Sequence, residues 1–580
     1  MTDRANFVPR QGNFNDNVLP NDPLFLRLLT IAHGRHAGRP LIRDINAGLE
    51  ATAHTLLSDV LTFRQDIVKS LAPKTIRDLD NGRDVLISLF AEGGYEFSVA
   101  ILAVLALGAC ASLLSIAMPT KELTYYIEKT HSVMILASKK GWNSAKKLEV
   151  QIRNQGLGND FVALPISIDG NNHAGLVPLA QIFISSGPQH DPNGPGTIIF
   201  TSGTTGPPKA VVLRRSTITT GAQSLADQLD LQATDTLLHP LPVHHATGVN
   251  LSFFPFLQAG ACIEFKSGGF DSQWIWDRLR QGGLTHFTGV PTIYMRLMRH
   301  WEKHISHLPP NIMKDYRNGA ANIKVLFCGT AALSQAIDRF WKELRGGHPI
   351  VQRYGSSETQ IVINMPIDSG NSHDVLPDGS VGKASVGVEL KIAGNANQGE
   401  LLVKSPHMFS CYLNDKAATL EAHDDDGYYK TGDIASRAGD YYLILGRADI
   451  DIVKSGGYKI SALDIEREML GLSYVNEAMV IGVPDDEFGQ RVAAVVAIRK
   501  NASMTTLTLD RLRMDLRSRL AGYKLPTLLR VVDGELPKNA TEKVVKKKLG
   551  PLYFPPNYRE DGGVQIWKTQ AQKEERIVKL

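Results

Sequence analysis

Residues 84–118 read DVLISLFAEGGYEFSVAILAVLALGACASLLSIAM, and the way this stretch is divided decides the fold. Val99 to Met118 carries no charge over twenty residues, long enough to cross a bilayer. The reading preferred here is a buried helix to about Leu107, a break at Gly108 and then a buried strand, because a parallel sheet covered on both faces produces such apolar runs. The flanks agree. VLISLF precedes the helix, SLLSIA follows it, and a polar helix from Thr120 to Lys129 leads to VMILAS. Strand, helix and strand in alternation imply a mostly parallel, doubly wound α/β sheet.

The chain has 580 residues, too many for one hydrophobic core, so at least two domains joined by a hinge are expected. Apolar residues make up 43% and charged residues 21%, and 63 basic against 59 acidic side chains leave a net charge of only +4. That balance demands neither a nucleic-acid nor a lipid partner. The four cysteines, Cys110, Cys262, Cys328 and Cys411, lie far apart with no CxxC pair, which argues against a disulfide framework or a zinc site and for a reducing compartment. The N-terminal MTDRANFVPRQGNFNDN has no apolar core for secretion and carries acidic residues, so an intracellular, cytoplasmic protein without a cleaved leader is expected. The closing Val578-Lys579-Leu580 resembles a peroxisomal address only loosely.

A loop from Ser185 to Gly196 feeds Thr197-Ile198-Ile199-Phe200, a strand that runs into TSGTTGPPK, Thr201 to Lys209. Hydroxyls, two glycines and a terminal lysine after a strand suit a loop that turns tightly and points N–H groups, hydroxyls and an ammonium at phosphate oxygens. It is not a Walker loop, since Pro207-Pro208 stand where that motif's helix would begin. The string resembles the signature of the adenylate-forming superfamily, which includes acyl-CoA synthetases, peptide-synthetase adenylation domains and luciferases. The resemblance implies that Thr201, Ser202, Gly203, Thr204, Thr205, Gly206 and Lys209 hold the pyrophosphate end of ATP.

Further motifs of that superfamily follow in order between about Asp84 and Leu549. LPVHHATG resembles the segment that lines the acyl pocket, with His245 as the lining residue. A metal reading of His244-His245 is weak, because neighbouring side chains diverge and no third ligand is spaced for zinc. CGTAA, with Gly329, Thr330 and Ala331, resembles the turn against adenine. RYGSSET implies nucleotide contacts for Tyr354, Gly355 and Ser357 and makes Glu358 the magnesium ligand. In YYKTGD, Asp433 is implied to accept the ribose hydroxyls, which one carboxylate can do with its two oxygens.

GRADIDIVKSGGYKI implies a ribose or phosphate contact at Arg447 and a hinge at Asp449, or at Ile450 because the segment is one residue longer than in many relatives. Gly456 and Gly457 would let the phosphopantetheine arm of coenzyme A pass close to the backbone. LPKNATEKVVKKKL puts Lys543 in the place of the catalytic lysine, with Glu542 where the family usually has glycine; Lys546, Lys547 and Lys548 read as a solvated basic run. Ser410-Cys411-Tyr412 also departs from the usual glycine before the aromatic residue.

The implied layout is a large N-terminal domain over residues 1–448 with the ATP and acyl sites, a small mobile α/β domain over 449–558 and a polar tail over 559–580. The implied chemistry is activation of a carboxylic acid by Mg-ATP as acyl-AMP, followed by transfer to coenzyme A or to a separate carrier protein. LPVHHATGV, GVPTIYMRLM, RYGSSE and VKSGGYKISALDIE echo the malonyl-CoA and methylmalonyl-CoA synthetase group. A dicarboxylate needs a second cation, for which Arg296 and Arg353 are candidates by their bidentate forks. Against Arg296, it falls off the apolar arc of Ile293, Tyr294, Leu297 and Met298, where a plain solvated arginine would sit. Another small, medium-chain, aryl or long-chain acid remains an alternative, as does a non-catalytic ATP-binding protein.

Overall fold

The computed structural model describes residues 9–168, 175–201, 207–367, 377–395, 397–456, 458–486, 488–499, 506–539 and 543–567. Within them the opening stretch resolves as read. Leu86–Phe90 is a strand, Tyr95–Ala106 a helix and Cys110–Leu114 the next strand. No described helix is long and apolar enough to cross a membrane. The helix is buried on every side, packed on the long helix Ala53–Ser70. Its end is set by Gly108, whose φ of +72° turns the chain back into the sheet.

Among the described residues, Leu86–Phe90 lies between Cys110–Leu114 and Met134–Ala137, parallel to both, in a seven-stranded sheet. The same sheet continues through Pro195–Thr201 and, antiparallel, Lys209–Arg214, the hairpin that carries the phosphate loop. A thirteen-stranded sheet faces it. Its parallel part includes His286–Gly289, Val325–Cys328 and Val351–Ser356, and its antiparallel part includes the hairpin Tyr429–Ala438 and Tyr441–Arg447. One continuous apolar cluster joins the two sheets, with Ile87, Ile199, Phe256, Phe327 and Val351 at its centre.

After Arg447 the chain makes a turn over 448–451 and enters a separate six-stranded sheet, beginning with the hairpin Ile452–Ser455 and Tyr458–Ser461. Two apolar clusters cover its faces, so this small domain has a core of its own. Its extent corrects the expected polar tail. Val564–Ile566 pairs antiparallel with Leu528–Val532, and Trp567 lies under the Arg513 guanidinium at 4.0 Å. The sheet therefore runs past Tyr558, because an alternating Val-Gln-Ile can close an exposed edge. Residues 568–580, including the last three, lie outside the described residues.

Gly108 gives a direct check on this reading. A Cβ there would sit 2.5 Å from His190 Nε2, and that ring is held by Asp22 at 2.7 Å. With the left-handed backbone added, Gly108→Ala is expected to cost roughly 1–3 kcal/mol in urea unfolding. An unchanged midpoint would mean that the helix-to-strand junction tolerates other backbones.

Candidate active site

The motifs converge at the strand ends of the thirteen-stranded sheet. Cys328 closes its strand and Gly329, Thr330 and Ala331 follow in the open, with Thr330 at φ +72°. Next to it, Val351–Ser356 carries Arg353, Tyr354 and Gly355, and the turn after it carries Ser357 and Glu358. Asp433 and Arg447 are register partners across the Tyr429–Ala438 and Tyr441–Arg447 hairpin. Thr201 and Lys209 are partners at the mouth of the phosphate loop. Ser202 to Gly206 lie outside the described residues, as do Gly457 and Glu542.

Asp433 is the most constrained of these side chains. Its Oδ2 accepts the Tyr354 hydroxyl at 2.6 Å, and its Oδ1 is 2.9 Å from Arg447 Nε. Burial raises the Asp433 carboxyl and Arg447 opposes that rise. Burial works against the Arg447 charge too, but Asp433, Tyr354, Tyr429 and Glu358 together outweigh it and the guanidinium is held above its ordinary value. Each carboxylate oxygen keeps one lone pair for a further donor, which leaves room for a pair of hydroxyls.

Glu358 is buried, and its Oε1 accepts the Tyr412 hydroxyl at 3.1 Å; Tyr412 in turn lies 3.4 Å from the Tyr429 hydroxyl. The same Tyr412 ring lies 4.7 Å from Lys209 Nζ. Tyr412 thus links the acidic residue to the lysine of the phosphate loop. Sequence reading missed it, although Ser410-Cys411-Tyr412 stood out as a departure. What places it is the strand Cys411–Tyr412, which adds to Lys209–Arg214 as the edge of the seven-stranded sheet.

The segment that carries Lys543 arrives from the small domain. Lys543 N donates to Asn539 Oδ1 at 3.0 Å and Lys543 O accepts from Asn539 N at 2.9 Å, closing the loop. Glu477 anchors its base by accepting from Lys538 Nζ at 2.6 Å and Leu536 N at 2.7 Å. Crowding by protein and the Arg447 charge push the Lys543 ammonium below the usual lysine value, against Asp433, although the residue keeps part of its surface in water. Lys543 is also one of the charges that hold His245 down. Asp433, Arg447, His245 and Lys543 therefore share one electrostatic neighbourhood.

Burial first, then Lys543, lowers the His245 ring to about 4, and its Nε2 has no hydrogen-bond partner among the described residues. The ring is neutral at pH 7. His244 does not diverge from it as expected: the centroids are 4.3 Å apart, because the chain turns from extended backbone into a helix at His245. No group of three or more metal-ligating side chains accompanies them among the described residues.

The two arginines differ. Arg353 is buried and its guanidinium lies 4.1 Å from the Phe327 ring centroid; Nη1 has no hydrogen-bond partner and no carboxylate pairs with it among the described residues. Burial lowers it to about 10. Arg296 lies off the apolar arc of its helix, as expected, 3.9 Å from Glu535 of the small domain. The basic run is a correction. Lys547 and Lys548 are on the surface, but Lys546 is enclosed by Asp451 at 2.5 Å and Glu466 at 2.7 Å, because the first turn of the Lys546–Tyr553 helix points it at the hinge. Gly456, at φ +56°, is exposed at the Ile452–Ser455 hairpin and bonds Phe488 O.

These side chains gather where the large domain meets the small one, with Lys543 contributed by the small domain. The chain belongs to the AMP-binding enzyme family, whose profile matches residues 67–413, with that family's C-terminal domain over 464–543. It is 31% identical to a CoA ligase of Gibberella moniliformis (81% of this chain, 85% of that one) and 31% identical to the malonate–CoA ligase of Arabidopsis thaliana (80% and 77%). Among solved structures it is similar to ATP-bound MatB from Rhodopseudomonas palustris, with TM-score 0.75 and 26% identity over 92% of this chain and 99% of that one. For a malonyl-CoA ligase product complex with methylmalonyl-CoA and AMP, at the same 26% identity over 88% and 99%, the TM-score is 0.58.

Two measurements test this geometry. Tyr412→Phe removes a hydrogen bond to a buried carboxylate, typically ~1.5–3 kcal/mol, so ATP–pyrophosphate exchange is expected to fall about tenfold or more with little change in melting temperature. Unaltered exchange would detach Tyr412 from the site.

His239, His244 and His245 are lowered by burial to about 4, 3 and 4 from an unfolded value of 6.5. Their contribution to stability is complete above pH 6.5 and is lost as pH falls toward 4, at up to about 1.4 kcal/mol per pH unit for each ring. Chemical unfolding at pH 7, 6 and 5 should therefore show stability falling, with a shallower slope in His239→Gln. Equal slopes would mean that His239 already carries a proton in the fold.

Proposed function

We propose that this chain is an AMP-forming acid–thiol ligase that activates a short dicarboxylate of the malonate type and passes the acyl group to coenzyme A. The observation that carries the choice of acid is Arg353, a buried guanidinium for which the described residues supply no counter-ion. A substrate with a second carboxylate would supply it, in the bidentate geometry arginine favours. Two relatives named for malonate, one from Arabidopsis thaliana and one from Xenopus laevis, support the same reading. The mitochondrial label belongs to the latter's name; a cytoplasmic location here rests on the cysteine pattern and composition.

In the first half reaction a carboxylate oxygen attacks the α-phosphorus of ATP and pyrophosphate leaves. The two anions repel by about 4 kcal/mol at ~4 Å and an effective dielectric of 20, so cations are needed at the contact. Lys543 and Arg447 supply them on the nucleotide side and Lys209 on the pyrophosphate side. Asp433 takes the ribose hydroxyls, Gly329 to Ala331 and Tyr354 to Ser357 bound the nucleotide, and His245, neutral and apolar-faced, lines the acyl pocket. This is positioning and electrostatics, without a covalent enzyme intermediate.

Glu358 is the residue that would hold magnesium. It offers a hard oxygen partly committed to Tyr412, and a cation already bound by phosphates needs few protein ligands. When present, the ion neutralises charge on the departing pyrophosphate.

In the second half reaction the thiol of coenzyme A attacks the acyl carbonyl carbon and AMP leaves with the bridging oxygen. Lys543 has then to withdraw, and a turn about Asp449 that brings Gly456 and Gly457 to the cleft would achieve it. The higher TM-score with the ATP-bound neighbour than with the product complex supports taking the present arrangement as the first-half one.

The test is pyrophosphate release across malonate, methylmalonate, acetate, medium-chain and aryl acids, with and without coenzyme A, in wild type and Arg353→Met. Malonate turnover should lead the panel and fall in the variant by roughly 2–5 kcal/mol in kcat/KM, with monocarboxylates spared. An equal fall for all acids would make Arg353 structural, and a monocarboxylate preference in wild type would replace the dicarboxylate reading.

A further inference from the structure

Lys546 makes contacts that the two half reactions above do not use. Its ammonium bridges Asp451 Oδ1 at 2.5 Å and Glu466 Oε1 at 2.7 Å, and Glu466 Oε1 also accepts from Val480 N at 2.6 Å. The other oxygen of Asp451 accepts the Arg447 backbone N–H at 3.0 Å, while Asp451 N donates to Arg447 O at 2.8 Å. The approach is close enough that a Cβ on Gly446, at φ +124°, would meet Asp451 Cβ at 2.4 Å. Arg447 then reaches Asp433. One chain of contacts thus runs from the nucleotide clamp through the hinge turn to the start of the helix three residues after Lys543.

The next lysine repeats the pattern on the surface, with Lys547 Nζ 2.8 Å from Asp449 Oδ2. Asp451, Glu466 and Lys546 all belong to the small domain and would move as one body about Asp449. The Asp451 bond to the Arg447 backbone and the Lys547 pair with Asp449 are instead made at the hinge itself, so a turn there strains or breaks them.

We infer that Lys546 is a positioning residue for acyl-AMP formation, locking the small domain to the hinge at Asp451 so that Lys543 faces the Asp433–Arg447 clamp, with the Lys547–Asp449 pair as a second tie on that arrangement. This rests on the two-step reading above. Strength in these ties favours the first half reaction and opposes the second.

The test compares full-length wild type with Lys546→Arg, Lys546→Met, Lys547→Glu and the swap Asp449→Lys/Lys547→Glu. Three quantities are measured: acid-dependent ATP–pyrophosphate exchange, thioester formation from supplied acyl-AMP and coenzyme A, and melting temperature. Lys546→Met should lower exchange roughly 10- to 100-fold, the scale of a small misplacement of a catalytic group, while thioester formation changes by less than about threefold. Lys546→Arg should recover most of the exchange.

Lys547→Glu, an exposed change that leaves the core intact, should lower exchange about two- to fivefold at low salt, and the swap should restore it. Parallel loss of both half reactions in Lys546→Met, or exchange untouched in Lys547→Glu, would overturn the proposal. If Lys546→Met does not fold, the Lys547 pair of variants decides. If wild type shows no exchange with any acid, the two-step reading fails separately. The hinge claim is then read from limited proteolysis at residues 448–451, faster in Lys547→Glu and restored in the swap if it holds, and unchanged if it does not.

Discussion

The Asp433–Arg447 pair is the interaction on which the rest of the site depends. Burial opposes the charge on both groups, and for each the partner is the strongest influence working the other way. Arg447 is partly exposed while Asp433 is buried, so losing the arginine would leave a buried carboxylate without its cation. The pair also has a position no other interaction could occupy. Arg447 is the last residue of the large sheet and begins the turn into the small domain, so whatever orients its backbone orients the hinge. Asp433 and the turn that joins the two domains are thus mechanically one object.

The division of apolar burial explains why such a polar fastening is needed. The small domain has its own clusters on both sheet faces, and the large domain's cores close without it. Contacts between the two are correspondingly polar. Along the Pro291–Lys303 helix, Arg296 approaches Glu535, Arg299 reaches Asn476 O and Glu302 meets Arg499 at 3.5 Å. Partly exposed ion pairs are worth about 0–1 kcal/mol each, so no single one fixes the domains. The apolar clusters of the two domains are separate, so polar contacts of this kind join them. Position is then set near the turn after Arg447, where Asp451 is buried and Lys546 is largely enclosed.

How much of this the sequence disclosed depends on the range of the contacts involved. The helix ending before Gly108 and the strand after it were legible because apolar run length, a glycine and flanking β-rich segments are local signals. The Asp433 and Arg447 motifs were legible as strings, and their register explains why two motifs 14 positions apart meet. Lys546 was not legible: its partners lie 95 and 80 residues earlier, and three lysines in a row look solvated until the helix turns one of them inward. Tyr412 escaped for the same reason, since its strand joins a sheet begun some 300 residues before. The edge strand Val564–Ile566 is too short to stand out beside a polar tail.

Arg353 shows how magnitudes bear on the choice of acid. Burial lowers its guanidinium to about 10, which still leaves it charged at neutral pH. The Phe327 face at 4.1 Å returns part of the desolvation loss, since a cation–π contact is worth up to about 2 kcal/mol when desolvated. A buried arginine serving the fold alone would be expected to satisfy all its donors, as Arg345 comes closer to doing with four carbonyl contacts. Arg345 still leaves Nε without a partner, but Arg353 leaves Nη1 open with no carbonyl contacts of that kind among the described residues. The deficit matches what one charge-assisted bidentate contact supplies, and a carboxylate entering beside the Cys328–Gly329 turn would supply it, whereas an alkyl chain in the same place would leave the deficit in full.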